Sequence, residues 1–267
     1  MVAGRKSEAV TPPAVIEKLL RVAGNEVVLV GGQSLGFWMH RFGLTLPDGV
    51  AAISHDTDFL VSSAADRGVV DRFAKAIGGS AHYPHQKSLT PLVGQASLDI
   101  SDEEAVNVDV IHTVLGLQAG QVRERAVEAT LGKHVFLVMH PLDVLQSRLS
   151  NLYQLAEKQN PKGVMQLSMA IDAVREFLRH ESSAGKVVGT AHRSPLQGYV
   201  SAIERMAVQD AGRKVARRFF LHVADAIDPS LIPAGLFWTK RWPALRKLMS
   251  PAYALNFNPP QDTDRGE

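Results

Sequence analysis

With 267 residues, 45% of them hydrophobic, the chain is long enough to bury a core as one large domain or two small ones. Its formal net charge of +2 gives no general signal for nucleic acid, and the absence of cysteine excludes disulfides, thiolate zinc sites and a cysteine nucleophile, so any metal must rest on Asp, Glu or His. No run approaches the roughly 18 apolar residues of a membrane span, and the opening MVAGRKSEAVTPP lacks the apolar core of a signal peptide. A folded protein of the cytoplasm, with no membrane partner, is expected.

Pro12 and Pro13 open a helical pattern through AVIEKLLRVAG, with Gly24 as its stop. A strand is predicted over residues 27–30, a helix beginning at the glycines over 33–42, a loop at LTLPDGVAA and a second strand over 56–61. Apolar spacing at Val69, Val70, Phe73, Ala74 and Ile77 predicts a helix over 66–77 that stops at Gly78-Gly79. Weaker strands are expected at 98–100 and, with clearer alternation, at 107–112. Between them the acidic run Asp102-Glu103-Glu104 reads as a solvated hairpin loop, and 125–139 reads as a turn and one more strand.

From His140 the pattern turns helical. PLDVLQSRLSNLYQLAEK starts with Pro141 and places Leu142, Leu145, Leu149 and Leu152 on one face, and VMQLSMAIDAVREFLRH follows Pro161 and Gly163. ESSAGKVVGTAHRS reads as a linker, and helical patterns then extend from Pro195 to about Met249 with breaks at Pro229, Pro233 and Pro243. The expected organisation is an α/β domain over 1–140, a helical domain over 141–258 and a disordered tail over 259–267, without internal repeats.

The residues that can carry chemistry lie in the first half. Side chains two apart on a strand share a face, so Asp56 and Asp58 project together while Thr57 and Phe59 turn away. Neighbouring carboxylates repel unless a cation lies between them. If Asp109 reaches the same place, three hard oxygen donors suit Mg²⁺ or Mn²⁺ better than zinc, and such a site can serve two-metal phosphoryl chemistry. Gly31 and Gly32 allow a sharp turn and a close approach to a ligand, the helix behind them offers N–H groups to phosphate, and Ser34 adds a hydroxyl. Alone, Asp-x-Asp usually marks a strand end and Gly-Gly an ordinary turn; the ordered conjunction carries the signal. A dinucleotide fingerprint falls behind, because G-G-x-x-x-G is not G-x-G-x-x-G. His55, next to Asp56, reads equally as a phosphate contact or as a polar strand-entry residue; His82, His85, His112, His134 and His140 show no ligand spacing, and the basic and aromatic C-terminal stretches read first as amphipathic helices and second as a nucleic-acid clamp.

At these residues the chain resembles the nucleotidyltransferase-fold superfamily, which includes DNA polymerase β, antibiotic nucleotidyltransferases and tRNA-CCA-adding enzymes. Gly31, Gly32, Asp56, Asp58 and Asp109 match its signature one by one. VGGQSLGFW, SHDTDFLV and the helix after MHPLDVLQSRLSNL look most like the AbiEii-type branch of toxin nucleotidyltransferases. The resemblance implies an α+β fold, with a nucleotidyltransferase-like mixed β-sheet flanked by helices and followed by a helical C-terminal region. It implies Asp56, Asp58 and Asp109 as catalytic metal ligands for Mg²⁺ (or Mn²⁺), and Gly31, Gly32, Ser34 and Arg148 as nucleotide contacts, although the branch more often has Lys at the position of Arg148. The implied reaction moves a nucleoside monophosphate from a nucleoside triphosphate such as ATP to an acceptor hydroxyl on tRNA, protein or a small molecule. The implied setting is a toxin with an antitoxin partner. Gln33 departs from the small hydroxyl residue of the family pattern, and the interval from Gly32 to Asp56 is longer than in compact antibiotic-modifying enzymes. Two alternatives stand beside this reading: a catalytically silent relative that binds nucleotide, RNA or a protein partner, and a generic α/β domain in which the three aspartates do not converge.

Overall fold

The computed structural model describes residues 6–47, 53–85, 87–185 and 195–249. The chain divides into two compact units, Met1–Ser147 and Arg148–Glu267.

The first unit is built on a mixed eight-stranded sheet. In chain order it runs β1 (Ser7–Glu8), α1 (Pro13–Ala23), β2 (Val28–Val30), α2 (Gly31–Arg41), β3 (Thr57–Leu60), α3 (Arg67–Ile77), β4 (Ser80–His82), β5 (Leu92–Asp99), β6 (Glu104–Ile111), α4 (Ala119–Arg125), β7 (Val127–Leu131) and β8 (His134–Val138), and it ends within α5 (Pro141–Gln154). The strand order is β4-β5-β6-β3-β2-β8-β7, with β1 paired to β6 beside the path. β3 and β6 are parallel, as are β2 and β8, while β2/β3, β4/β5, β5/β6 and β7/β8 are antiparallel.

Local chemistry explains these elements. Pro13 occupies the first position of α1, where its missing N–H costs nothing, and Gly24 closes that helix with φ 65°. The apolar stripe of α3 is buried at Val69, Val70, Phe73, Ala74 and Ile77, and Gly78 ends the helix in the left-handed conformation. Phe73 meets Phe59 of β3 at a ring-centroid distance of 4.6 Å, so α3 packs on the sheet face that carries Phe59. Along β6 the alternation is complete on one side: Val106, Val108 and Val110 have no exposed surface, whereas Asn107, Asp109 and Ile111 are half-buried.

Several details differ from the sequence expectation. β1 was not anticipated; Ser7 N donates to Glu103 O and Ala9 N to Ala105 O, both at long range. Residues 125–139 form the end of α4 and a two-stranded hairpin turning at Gly132, whose φ of 60° relieves the tight connection, in place of a single strand. β3 starts at Thr57, so Asp56 lies just before the strand.

The described part of the second unit is helical, with the rest of α5, then α6 (Pro161–Gly185), α7 (Pro195–Val208), α8 (Asp210–Phe219) and α9 (Trp242–Leu248). α6 continues through residues expected to open a linker, and Pro243, expected as a breaker, sits in the first turn of α9, where proline is tolerated. The rest of the expected linker from residue 186, residues 48–52 of the LTLPDGVAA loop and the tail fall outside the described residues. Among the described residues no helix is long and apolar enough to cross a membrane.

Candidate functional site

The sheet register brings the three aspartates together. Asp58 on β3 lies opposite Asp109 on β6 in the parallel ladder, and Asp56, two residues earlier, projects from the same side. One carboxylate oxygen from each of Asp56, Asp58 and Asp109 lies within 4.8 Å of the other two, and all three side chains are partly exposed. The generic α/β alternative required the opposite, so its simplest form fails here.

The two glycines are explained by these carboxylates. Val30 pairs with Asp58, which puts the strand-to-helix turn directly over that side chain. Gly31 has φ 66°, and a Cβ there would overlap Asp58 Oδ2. A Cβ on Gly32 would overlap the Ser54 side chain, whose hydroxyl donates to Asp56 Oδ1. Each glycine therefore makes room for a carboxylate or for the group that holds one. Gly31 also starts α2, and its N-cap residue, Val30, supplies no side-chain cap to the first-turn N–H groups.

Other side chains position the cluster. Gln95 on β5 lies opposite Asp109, and its Nε2 donates to Asp109 Oδ1 at 2.8 Å. Gln33 Nε2 donates to the Asp56 carbonyl at 3.4 Å. Next along the same face, Asn107 accepts from Ser97 Oγ at 3.2 Å and donates to Glu8 of β1 at 3.1 Å. Thr11 donates through both its N–H and its hydroxyl to His55 O, so the N-terminal segment secures the approach to Asp56. Burial pushes the Asp109 carboxyl above the ordinary carboxylate range; the Gln95 hydrogen bond opposes this, and the negative charges of Asp56 and Glu8 add to it.

The remaining sequence-derived candidates have protein partners of their own. Ser34 is fully buried and its hydroxyl donates back to Gly31 O at 2.8 Å, which secures the turn. Arg148 is the first residue of the second unit; it is buried, with Nη1 donating to Gln166 Oε1 at 3.3 Å. Ser54 and Gln95 were missed from the sequence. Gln95 had a signal, because counting outward from the acidic hairpin loop pairs 95 with 109; Ser54 had none. Compared with known proteins, the chain matches no family model and no curated protein sequence.

The donor set fits a hard divalent cation. Three carboxylates supply oxygen only, the backbone beside them is cleared by glycine, and neither cysteine nor histidine belongs to the cluster.

Proposed function

We propose that the protein is a metal-dependent nucleotidyltransferase of the nucleotidyltransferase fold, moving a nucleoside monophosphate from a nucleoside triphosphate to an acceptor hydroxyl. The observation that carries this reading is the convergence of Asp56, Asp58 and Asp109 directly beneath a glycine turn that opens α2. Asp56, Asp58 and Asp109 would hold Mg²⁺ or Mn²⁺, which would supply positive charge for the polyphosphate and make the acceptor hydroxyl easier to deprotonate. The uncapped first turn of α2, reached through Gly31 and Gly32, offers backbone N–H groups to phosphate oxygens. Gln95 donates to Asp109 Oδ1 and thereby orients that carboxylate, which would take up the proton of the hydroxyl. The new bond joins the acceptor oxygen to the α-phosphorus, the bond from that phosphorus to the bridging oxygen breaks, and pyrophosphate leaves.

The resemblance to the toxin branch supports a further reading as the toxin of a two-gene module. The deciding experiment incubates the full chain with each α-labelled nucleoside triphosphate, Mg²⁺ or Mn²⁺, and cellular RNA and protein. Label on an RNA or protein band that vanishes with Asp58→Asn is the expected result. Transfer retained by a folded Asp58→Asn variant overturns the assignment. Absence of transfer together with metal-dependent nucleotide binding favours the silent relative.

A further inference from the structure

Beyond the acidic cluster, the first unit carries a groove of about 500 Å³, within the range of small-molecule sites, at the start of α3 and along Pro84, His85 and residues 88–93. Its polar lining consists of Arg67, His85, Ser88, Thr90, His112 and Thr113; the rest is alanine, proline, leucine and valine, and no carboxylate is among the lining residues. None of Asp56, Asp58 and Asp109 contributes to it.

Three observations give the polar groups one sense. The Arg67 guanidinium lies over the Tyr83 ring at 5.1 Å, and the Tyr83 hydroxyl is tied to Asp71 Oδ1 at 2.6 Å, so the cation rests on an anchored platform. Arg67 makes no ion pair among the described residues, and the nearby Asp66 carboxylate is turned to Ser63 N at 2.9 Å, outside the lining. Lys87 N donates to His85 Nδ1 at 3.2 Å, so the neutral His85 ring carries its proton on Nε2 and presents a donor. The backbone N–H of His112 donates to Pro91 O at 2.9 Å, which holds this residue against the segment that forms the opposite wall, and its side chain belongs to the lining. The groove also opens at the N-terminus of an 11-residue helix, whose dipole favours negative charge.

We propose that this groove binds phosphate, free or as a monoester, through Arg67, His85 and His112, with the Ser88, Thr90 and Thr113 hydroxyls completing the polar wall. A planar guanidinium with two imidazoles and no opposing carboxylate is a recognition set for a tetrahedral oxyanion. The aliphatic and proline lining leaves room for the body of an ester. This site is independent of the nucleotidyltransferase reading and stands or falls without it.

The test is calorimetric titration of the full chain, in EDTA and at low salt, with inorganic phosphate and separately with ribose 5-phosphate. Saturable one-site binding is expected, weakened at least tenfold by Arg67→Gln and by His112→Gln and unchanged by Asp58→Asn. Arg67 is exposed, so its substitution should leave the thermal melt in place, and His112→Gln provides a second reading of the same groove. Tighter binding of the ester than of phosphate supports a monoester ligand, and equal binding supports free phosphate. Absence of saturable binding of both probes, or wild-type binding by both groove variants, overturns the proposal. A change of binding in Asp58→Asn, in either direction, would place the anion at the acidic cluster and overturn it as well.

Discussion

Two carboxyls of the first unit, Asp109 and Asp143, are both pushed above the ordinary carboxylate range by burial, yet their charged neighbours have opposite sign. Around Asp109 the acting charges are Asp56 and Glu8, both negative. Asp143 is gripped by Arg125, Nη2 to Oδ1 at 2.6 Å and Nε to Oδ2 at 3.2 Å, within one helical turn of the buried His140. The Asp143 group carries its own cation and serves the junction between β8 and α5. The Asp109 group concentrates like charge, an arrangement that costs stability unless a cation arrives from outside. The difference separates a structural ion pair from the cluster proposed to hold a cation.

The sharpest test of that contrast is chemical. Asp58→Asn should reduce metal-dependent transfer to background, a larger loss than the about 10–100-fold typical of an outer-sphere partner, while its melt in EDTA stays level or rises because one repelling charge is gone. A fall in the EDTA melt comparable to that of a core substitution would place Asp58 with the structural carboxyls.

The second test concerns pH. Asp143 rises from 3.8 to about 6, so between those values the folded state holds more protons than the unfolded chain and stability falls as pH rises. His140 is lowered from 6.5 to about 4 by burial and by the Arg125 charge, so it acts in the opposite direction across nearly the same window. The wild type should therefore show a shallow profile. His140→Gln should unmask the Asp143 slope, a loss on the order of 3 kcal/mol between about pH 4 and 6, read by urea unfolding at stepped pH. A flat profile in that variant would mean that Asp143 keeps its charge across the window.

Third, Mg²⁺ or Mn²⁺ at about 100 times its dissociation constant should stabilise the wild type by about 2.7 kcal/mol and leave Asp58→Asn where it was. An equal gain in both would move the cation elsewhere. The smallest effect is expected for Gln95→Ala, which removes the hydrogen bond to Asp109 Oδ1 and should weaken metal binding or activity about 10–100-fold with little change in the melt. A variant indistinguishable from wild type would leave Asp109 positioned by its strand alone.

How much of this was legible in the sequence depends on the range of the interaction that decides each feature. The stripe of α3, its glycine stop and the alternation of β6 are local patterns, and the structure follows them. The convergence of Asp58 and Asp109 rests on parallel pairing of strands some fifty residues apart, which the residue pattern alone leaves open. β1 has two exposed residues and no apolar alternation; backbone hydrogen bonds to residues 103–105, with side-chain bonds from Ser7 to Glu103 O and from Asn107 to Glu8, create it. The Ser54 contact to Asp56 depends on the turn before β3, where no periodicity applies. Arg148, expected beside the nucleotide by resemblance, bonds to Gln166, a partner eighteen residues later that no local pattern indicates.

The position of β2 has a consequence for how the chain reaches this state. β2 is inserted between β3 and β8, and Leu29 pairs with Val138, a partner more than a hundred residues later. At synthesis rates of about 5–20 residues per second, that partner follows Leu29 from the ribosome by roughly 5–20 s. Throughout that interval one edge of a fully apolar strand, Val28-Leu29-Val30, lacks the neighbour it has in the folded sheet. The unit that carries the acidic cluster is thus exposed to edge-to-edge association during its birth, and the arrival of β8 is the event that ends that exposure.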